Sequence, residues 1–140
     1  MKYMILINAS QQDYDAMAGR PASEQPGWTP ADFEAMGAFM ESFNKELADS
    51  GELVDTRGLT APAHARRIQL HGGVPVVTDG PYPEAEEVLA GYWIVECDSF
   101  DRATEIAARL TRIPGPAHLR ERAEAIDVRP IADSRAELDG

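Results

Sequence analysis

The chain has 140 residues, 44% of them hydrophobic, which is enough for one domain with its own core. It holds 13 basic and 24 acidic residues, and a formal net charge of −11 disfavours nucleic acids and anionic membranes as direct partners. One cysteine, Cys97, excludes an internal disulfide framework and a cysteine zinc cluster. Its place in an apolar run predicts a buried core thiol rather than a nucleophile.

No apolar stretch approaches the roughly 20 residues that a membrane-spanning helix needs. The apolar run near the N-terminus has only a strand's length before polar Asn8. We therefore expect no signal peptide, no membrane segment and a cytoplasmic location.

Residues 2–7 are apolar on both faces, which predicts a central strand covered on both sides. Residues 8–28 then follow neither a helical nor a strand period, and we interpret them as a long loop. Two interpretations of this loop remain open: a surface excursion, or a lid over a binding site. Tyr14, Met17 and Trp28 indicate that part of it packs on the protein body.

Two helices are predicted from capping residues and apolar spacing. Thr29 and Pro30 begin the first, and Ser50 with Gly51 ends it. The second begins at residues 98–101 and ends at residues 113–116. Their apolar stripes recur every three or four residues, as in a helix that packs on a core; they consist of Phe33, Met36, Met40, Phe43 and Leu47, and of Ala103, Ile106, Ala107 and Leu110.

The remaining strands are predicted at residues 53–59, 66–71, 74–78, 92–97 and 125–131. Gly72 and Gly73 form a favoured hairpin turn, and Pro75 places its strand at a sheet edge. Residues 84–89 and 118–122 are predicted as short helical turns. We expect a single domain over residues 1–132, followed by a frayed polar tail at residues 133–140.

The resulting order, β-α-β-β-β-α-β, predicts an α+β ferredoxin-like sandwich, in which two helices cover one face of a mainly antiparallel sheet. The first strand and the strand at 92–97 are apolar on both sides, so the opposite face must also be buried. A second copy of the chain covers it most economically, which predicts a homodimer.

Asp79 is the leading candidate for chemistry, because it stands at a strand end where a general base or ligand anchor would be placed. The alternative is that Asp79 only caps its own turn. Glu84 and Glu87 lie three residues apart and would join Asp79 in an acidic cluster for a cation or a basic ligand. Their alternative is a solvated loop.

Tyr82 and Tyr92 flank this turn, and either would orient a ligand or simply seal the rim of the core. Arg129 precedes Pro130 in the last strand and would pair with Asp79 or with a substrate carboxylate, or form a structural ion pair. The three histidines show no metal-ligand spacing, and no glycine-rich phosphate loop or nucleophile elbow occurs. We expect no metal and no cofactor.

The segment Val-Thr-Asp-Gly-Pro-Tyr-Pro-Glu-Ala-Glu-Glu-Val-Leu-Ala-Gly-Tyr-Trp-Ile at residues 77–94 resembles the signature of DGPF-domain proteins, within the YCII-related superfamily. Residues 1–7 and 127–131 resemble that family's ends. Tyr82 stands where the signature has Phe, and Glu86 where it has Lys or Arg. The resemblance spans nearly the whole chain apart from the loop near residues 9–28.

The resemblance implies a dimeric α/β-barrel-like packing, sheet on sheet. In related YCII proteins a histidine–aspartate pair is proposed as catalytic, and this sequence offers no equivalent histidine. Three functions follow as hypotheses: binding of a small organic metabolite near Asp79, cofactor-independent proton transfer with Asp79 as base, and an accessory role. The last follows because DGPF proteins are often encoded near extracytoplasmic-function sigma factors, which implies a protein partner in sigma-factor signalling.

Overall fold

The computed structural model describes residues 1–20, 27–83, 86–116 and 125–139 of the chain. Short 3₁₀ turns occur at Pro62–His64 and Leu110–Arg112. The predicted helical turn at residues 118–122 lies outside the described residues. The helices and strands are, in chain order, β1 Lys2–Ala9, α1 Gln11–Met17, α2 Pro30–Asp49, β2 Leu53–Gly58, β3 Arg66–His71, β4 Val74–Asp79, β5 Val88–Glu96, α3 Phe100–Arg109, β6 Ile126–Pro130 and α4 Arg135–Asp139.

Four strands form one antiparallel sheet in the order β2-β5-β1-β6. The β3–β4 hairpin forms a separate two-stranded sheet. The predicted α+β class with a mainly antiparallel sheet is therefore confirmed, and the arrangement is compatible with a ferredoxin-like fold. Pro75 lies in β4, whose described pairing is with β3 alone, as its missing N–H donor requires of an edge strand.

The core lies between one face of the sheet and helices α2 and α3. Alternate residues of the two central strands, Tyr3 and Ile5 in β1 and Trp93 and Val95 in β5, are buried there. The helices contribute Phe43, Leu47, Ala103, Ile106, Ala107 and Leu110. The core also includes the buried thiol of Cys97, as predicted, and burial raises its pKa.

Both core helices begin at capped N-termini, as predicted. The Thr29 hydroxyl accepts from the Asp32 N–H, and the Asp32 carboxylate accepts from the Thr29 N–H. This reciprocal capping box satisfies two backbone donors at the start of α2. The Ser99 hydroxyl accepts from the Arg102 N–H at the start of α3. Arg102 then reaches back to Glu52 before β2 with two hydrogen bonds, 2.9 and 2.8 Å long, and so joins α3 to the sheet.

Three predictions about local structure were wrong. Residues 8–28 are not a loop throughout, because β1 continues to Ala9 and α1 follows. Residues 84–89 are not a helical turn in their described part, because Val88 and Leu89 extend β5 and pair with Ala9 and Asn8. The tail is not frayed throughout: α4 forms after Ser134, whose N–H donates to Glu137.

Among the described elements, no helix is both long enough and apolar enough to cross a bilayer.

Candidate functional site

A groove of about 350 Å³ lies where the hairpin joins the main sheet. It is lined by residues 59–62, Ala65, Tyr82, Val88 and Leu89. The connection from β2 to β3 forms one wall, and the Tyr82 turn with the start of β5 forms the other. A volume of this size falls at the small end of ordinary ligand sites, which measure about 300–1,000 Å³. Because the lining is mainly aliphatic and aromatic, the groove suits a small apolar group.

Helix α1 fixes the first wall of the groove. The Tyr14 hydroxyl donates to the Leu59 carbonyl over 2.7 Å, and the Gln11 side-chain oxygen accepts from the Ala63 N–H over 2.8 Å. The Leu59 N–H donates to the Ala90 carbonyl over 2.7 Å, which holds this wall to β5. Burial raises the pKa of Tyr14 above its ordinary value. The segment predicted as an excursion or a lid thus contains a helix that anchors the groove.

The Asp79-Gly80-Pro81 turn is held to the other wall through Gly80. The Gly80 N–H donates to the Ala65 carbonyl over 2.9 Å. Gly80 has a φ of +55°, and a Cβ there would lie 3.3 Å from the Ala63 carbonyl oxygen. The turn therefore requires a glycine on two grounds, namely its left-handed backbone and the close approach of residue 63.

Gly80→Ala is expected to destabilise the protein more than Gly73→Ala. Both glycines have positive φ, so both substitutions carry the left-handed penalty of about 1–2 kcal/mol. A Cβ at Gly73 meets no atom within 4 Å, whereas one at Gly80 meets Ala63. Urea denaturation of the two variants measures the difference. An equal or larger loss for Gly73→Ala would show that the contact with Ala63 carries no weight.

Asp79 lies outside the groove lining. Its side chain is 80% exposed, and its carboxylate lies 3.3 Å from the Arg66 guanidinium, directly across the hairpin. The contact with Arg66 tests neither the turn-cap interpretation nor the general-base interpretation of Asp79, and both stay predictions. Exposed ion pairs of this kind contribute little to stability.

Arg67 contacts Tyr82, one of the residues that line the groove. The Arg67 guanidinium lies 4.4 Å from the centre of the Tyr82 ring, and that ring lines the groove. A cation over an aromatic face is attracted by the ring quadrupole, which holds the guanidinium beside Tyr82. Within the described part of the chain, the neighbouring ion pair is taken by Arg66, and no carboxylate lies within ion-pair distance of Arg67.

The other predicted site residues do not gather at this groove. The Tyr92 hydroxyl donates to the Asp55 carboxylate over 3.3 Å, on the sheet face that the helices leave open. Arg129 lies on the same open face, opposite Met4 on the far strand β6, and the arginine that contacts Asp79 is Arg66. Glu87 is exposed before β5, and Glu84 lies outside the described residues. The predicted acidic cluster of Asp79, Glu84 and Glu87 therefore stays a prediction.

No group of three or more histidine, cysteine, aspartate or glutamate side chains stands close enough to hold a metal ion in residues 1–20, 27–83, 86–116 and 125–139. His71 is exposed at the hairpin turn, as predicted, and His64 is exposed in the short 3₁₀ turn.

Sequence reasoning missed Arg67 and the wall formed by residues 59–65. One signal was available for the hairpin: a two-residue turn at Gly72 and Gly73 fixes the pairing of His71 with Val74, and hence of Arg66 with Asp79. The same register places Arg67 on the opposite face from that pair. The contact of Arg67 with Tyr82 has no such local signal.

The sequence model of the YCII-related domain matches residues 1–115. The chain belongs to the YCII-related family. The resemblance of residues 77–94 predicted a YCII-related protein, and this prediction is confirmed. The match covers β1 to α3 and all residues of the groove.

One curated protein with a similar sequence is an uncharacterised protein of Rhizobium meliloti (strain 1021). The two chains are 23% identical over 119 residues, which cover 85% of this chain and 91% of the relative. Similarity over so much of both chains is consistent with the family assignment, and the name of the relative states no activity.

Proposed function

We propose that this YCII-related protein binds a small apolar carboxylate in the groove beside Tyr82. The observation that carries the proposal is the contact of the Arg67 guanidinium with Tyr82, a residue that lines an aliphatic and aromatic groove. The lining would bury the apolar part of such a ligand. Arg67 would then take its carboxylate through two parallel N–H donors, the geometry in which arginine binds carboxylates most strongly.

Charge makes an organic anion the favoured ligand at this position. The chain as a whole carries a formal charge of −11 and repels anions over most of its surface. Residues 59–83 hold two arginines and one aspartate, so this segment has a small positive formal charge within an acidic chain. A neutral apolar molecule would fill the groove without using Arg67, and a basic molecule would meet its positive charge.

The binding experiment uses apolar carboxylates, each paired with its neutral amide, beginning with phenylacetate and phenylacetamide. Wild type is expected to bind phenylacetate more tightly, and its melting temperature should rise with ligand concentration. Arg67→Met should weaken phenylacetate binding by about tenfold or more, because one charge-assisted hydrogen bond alone is worth about that and Arg67 would supply two, and it should remove the preference over the amide. Calorimetric titration and thermal melts measure both effects.

Arg66→Met is the matched control, because Arg66 lies next in sequence but on the other face of the hairpin, paired with Asp79. It should bind phenylacetate as wild type does. Equal affinity for the carboxylate and the amide would contradict the ligand class. If no member of the series binds at millimolar concentration, the groove is not a ligand site.

Proton transfer with Asp79 as base is the alternative function, and it calls for a carboxylate in a dry pocket. Asp79 is 80% exposed and contacts Arg66, so the groove favours binding over this chemistry. Including Asp79→Asn in the same titrations separates the two. Loss of binding in that variant, with Arg67→Met unaffected, would move the site to the turn.

The second part of the proposal is a homodimer formed through the open face of the four-stranded sheet, with sheet packed on sheet. Met4 and Leu6 in β1 and Tyr92 and Ile94 in β5 form the centre of this face, opposite the helices. Charged side chains rim it: the Asp55–Arg57 ion pair on β2, and Asp127 and Arg129 at alternate positions of β6. An apolar centre with a charged rim is the usual anatomy of a protein interface.

The accessory function in sigma-factor signalling would instead call for an apolar surface that takes a different protein. The β3–β4 hairpin has exposed apolar side chains of that kind, among them Ile68, Leu70 and Val77.

A further inference from the structure

Two side chains of helix α1 bond the backbone of the first wall of the groove, residues 59–65. The Tyr14 hydroxyl donates to the Leu59 carbonyl over 2.7 Å, and the Ala63 N–H donates to the Gln11 side-chain oxygen over 2.8 Å. Gln11 and Tyr14 are three residues apart and therefore share one face of the helix. The described lining of the groove includes no residue of α1, so any effect of these two side chains on a bound ligand passes through the wall.

The two hydrogen bonds stand on either side of three consecutive lining residues. Thr60, Ala61 and Pro62 line the groove, and they lie between the anchor points at Leu59 and Ala63. The connection between β2 and β3 contains one 3₁₀ turn and no strand or longer helix of its own. Because no sheet ladder fixes these three residues, their position depends on contacts with other elements.

Two further hydrogen bonds tie the ends of this wall to the opposite side of the groove. The Leu59 N–H donates to the Ala90 carbonyl over 2.7 Å, and the Gly80 N–H donates to the Ala65 carbonyl over 2.9 Å. Helix α1 supplies the hydrogen bond between these ends, at Ala63, and a second one at Leu59. Without α1, the wall would be held by hydrogen bonds to other elements at its two ends alone.

The anchor itself is fixed by hydrogen bonds within α1. The Gln11 side-chain nitrogen donates to the Asp15 carboxylate over 3.0 Å, one turn further along the helix, which leaves the amide oxygen to accept from Ala63. The helix begins at a reciprocal capping box of Ser10 and Asp13, and Ser10 is 2% exposed. Gln11 is therefore held through both its backbone and its side chain.

We infer that α1 sets the width of the groove, and that Gln11 and Tyr14 are positioning residues that limit the ligand to a small carboxylate with a single ring. The inference rests on the proposed carboxylate site and adds the size of its ligand. The groove measures about 350 Å³, at the small end of ligand sites. A larger ligand would require the wall to move outward, and that movement would break the hydrogen bonds made by α1.

Gln11→Met and Gln12→Met form the matched pair for the test. Methionine has the length of glutamine but no amide oxygen for Ala63, and Gln12 lies next to Gln11 in α1 but bonds none of the described residues 59–65. Calorimetric titrations compare phenylacetate, which has one ring, with 1-naphthylacetate, which has two. Gln11→Met should weaken phenylacetate binding by about two- to tenfold, because one hydrogen bond is worth that factor and the wall is then displaced for part of the time.

Ligand size is the readout that separates positioning from stability. 1-Naphthylacetate needs the displaced wall, so its affinity should not fall in Gln11→Met, and the preference of wild type for phenylacetate should shrink. Tyr14→Phe removes only a hydroxyl and should shift the preference in the same direction, whereas Gln12→Met should keep the wild-type affinity for both ligands. A substitution that only lowered stability would reduce the melting temperature without changing the ratio of the two affinities.

Hydrogen exchange of the ligand-free protein, measured by NMR, tests the wall directly. In Tyr14→Phe the Ala63 N–H keeps its own acceptor on Gln11, so faster exchange at Ala63 would come from release of the wall at Leu59. We expect this faster exchange. Exchange at Ala63 that equals wild type would overturn the inference that α1 holds the wall as a unit.

The titrations distinguish failure of the inference from failure of the proposed function. If wild type prefers phenylacetate and both Gln11→Met and Tyr14→Phe keep that preference, α1 does not set the width, and the carboxylate site stands. Tighter binding of 1-naphthylacetate by wild type would overturn the size limit alone. If wild type binds neither ligand at millimolar concentration, the carboxylate site fails and the inference fails with it.

Discussion

Phe43→Ala is expected to lower the free energy of unfolding by about 3–5 kcal/mol, the usual cost of removing a fully buried aromatic ring. Phe43 belongs to α2, is 1% exposed and packs on the sheet through Trp93. Its ring centre lies 5.7 Å from that of Trp93 in an edge-to-face arrangement, and Phe39 stacks 6.1 Å away. Truncation leaves a cavity in the middle of the core that neighbouring rings cannot fill without leaving their rotamers. Urea denaturation followed by circular dichroism measures the loss.

Phe33→Ala is the matched control for that result. Phe33 belongs to the same apolar stripe of α2 but is 39% exposed, and its aromatic neighbour is Trp28 at 5.2 Å. The loss should be clearly smaller than for Phe43. Equal losses would mean that the N-terminal half of α2 is as deeply packed as its middle, contrary to the burial pattern.

Arg102→Met is expected to destabilise the protein at neutral pH by about 1.5 kcal/mol, the low end for hydrogen bonds to charged groups, because the guanidinium is partly exposed. The variant keeps most of the aliphatic stem of Arg102 and leaves the Glu52 carboxylate, which is largely buried, without its two guanidinium hydrogen bonds. Those hydrogen bonds hold the pKa of Glu52 below its ordinary value of 4.5.

The pH dependence of that loss identifies its cause. A carboxyl whose pKa is lowered by folding stabilises the folded state above its ordinary pKa, and the contribution disappears as the pH falls through the folded-state value. The difference between wild type and Arg102→Met should therefore be full above pH 4.5 and vanish in more acidic solution. Lys45→Met removes an exposed pair with Asp49 and should cost about 0.5 kcal/mol or less. A difference for Arg102→Met that persists unchanged in acid would assign it to lost packing.

Capping residues and apolar spacing were sufficient to predict α2 and α3, because both helices bury a stripe and begin at a residue that bonds the first turn. Helix α1 was missed for the opposite reason. Its capping box of Ser10 and Asp13 is visible in the sequence, but its seven residues include none that is buried, so no apolar stripe marks it. The start of β5 was misjudged because Val88 and Leu89 become strand only through their pairing with β1.

Only the part of the candidate site that one short segment forms was predicted from the sequence. The turn at residues 79–82 was identified, and Tyr82 does line the groove. The other wall comes from residues 59–65, and the cation that contacts Tyr82 comes from Arg67. These parts meet only after the chain connections around the hairpin have folded against α1 and β5, which no motif or periodicity encodes.

The pairing of β1 also constrains the order in which the chain can fold. This strand pairs Lys2 with Glu96 on one side and Tyr3 with Pro130 on the other, so its contacts span almost the whole sequence. Closing such large loops costs entropy before any pairing is gained, and folding dominated by distant contacts is slow. On the ribosome, β1 emerges long before either partner strand, and the sheet is completed only after residue 130 has left the exit tunnel. Folding of the sheet is thus a late event of synthesis, and until then the apolar residues of β1 stay without their partner strands and open to aggregation.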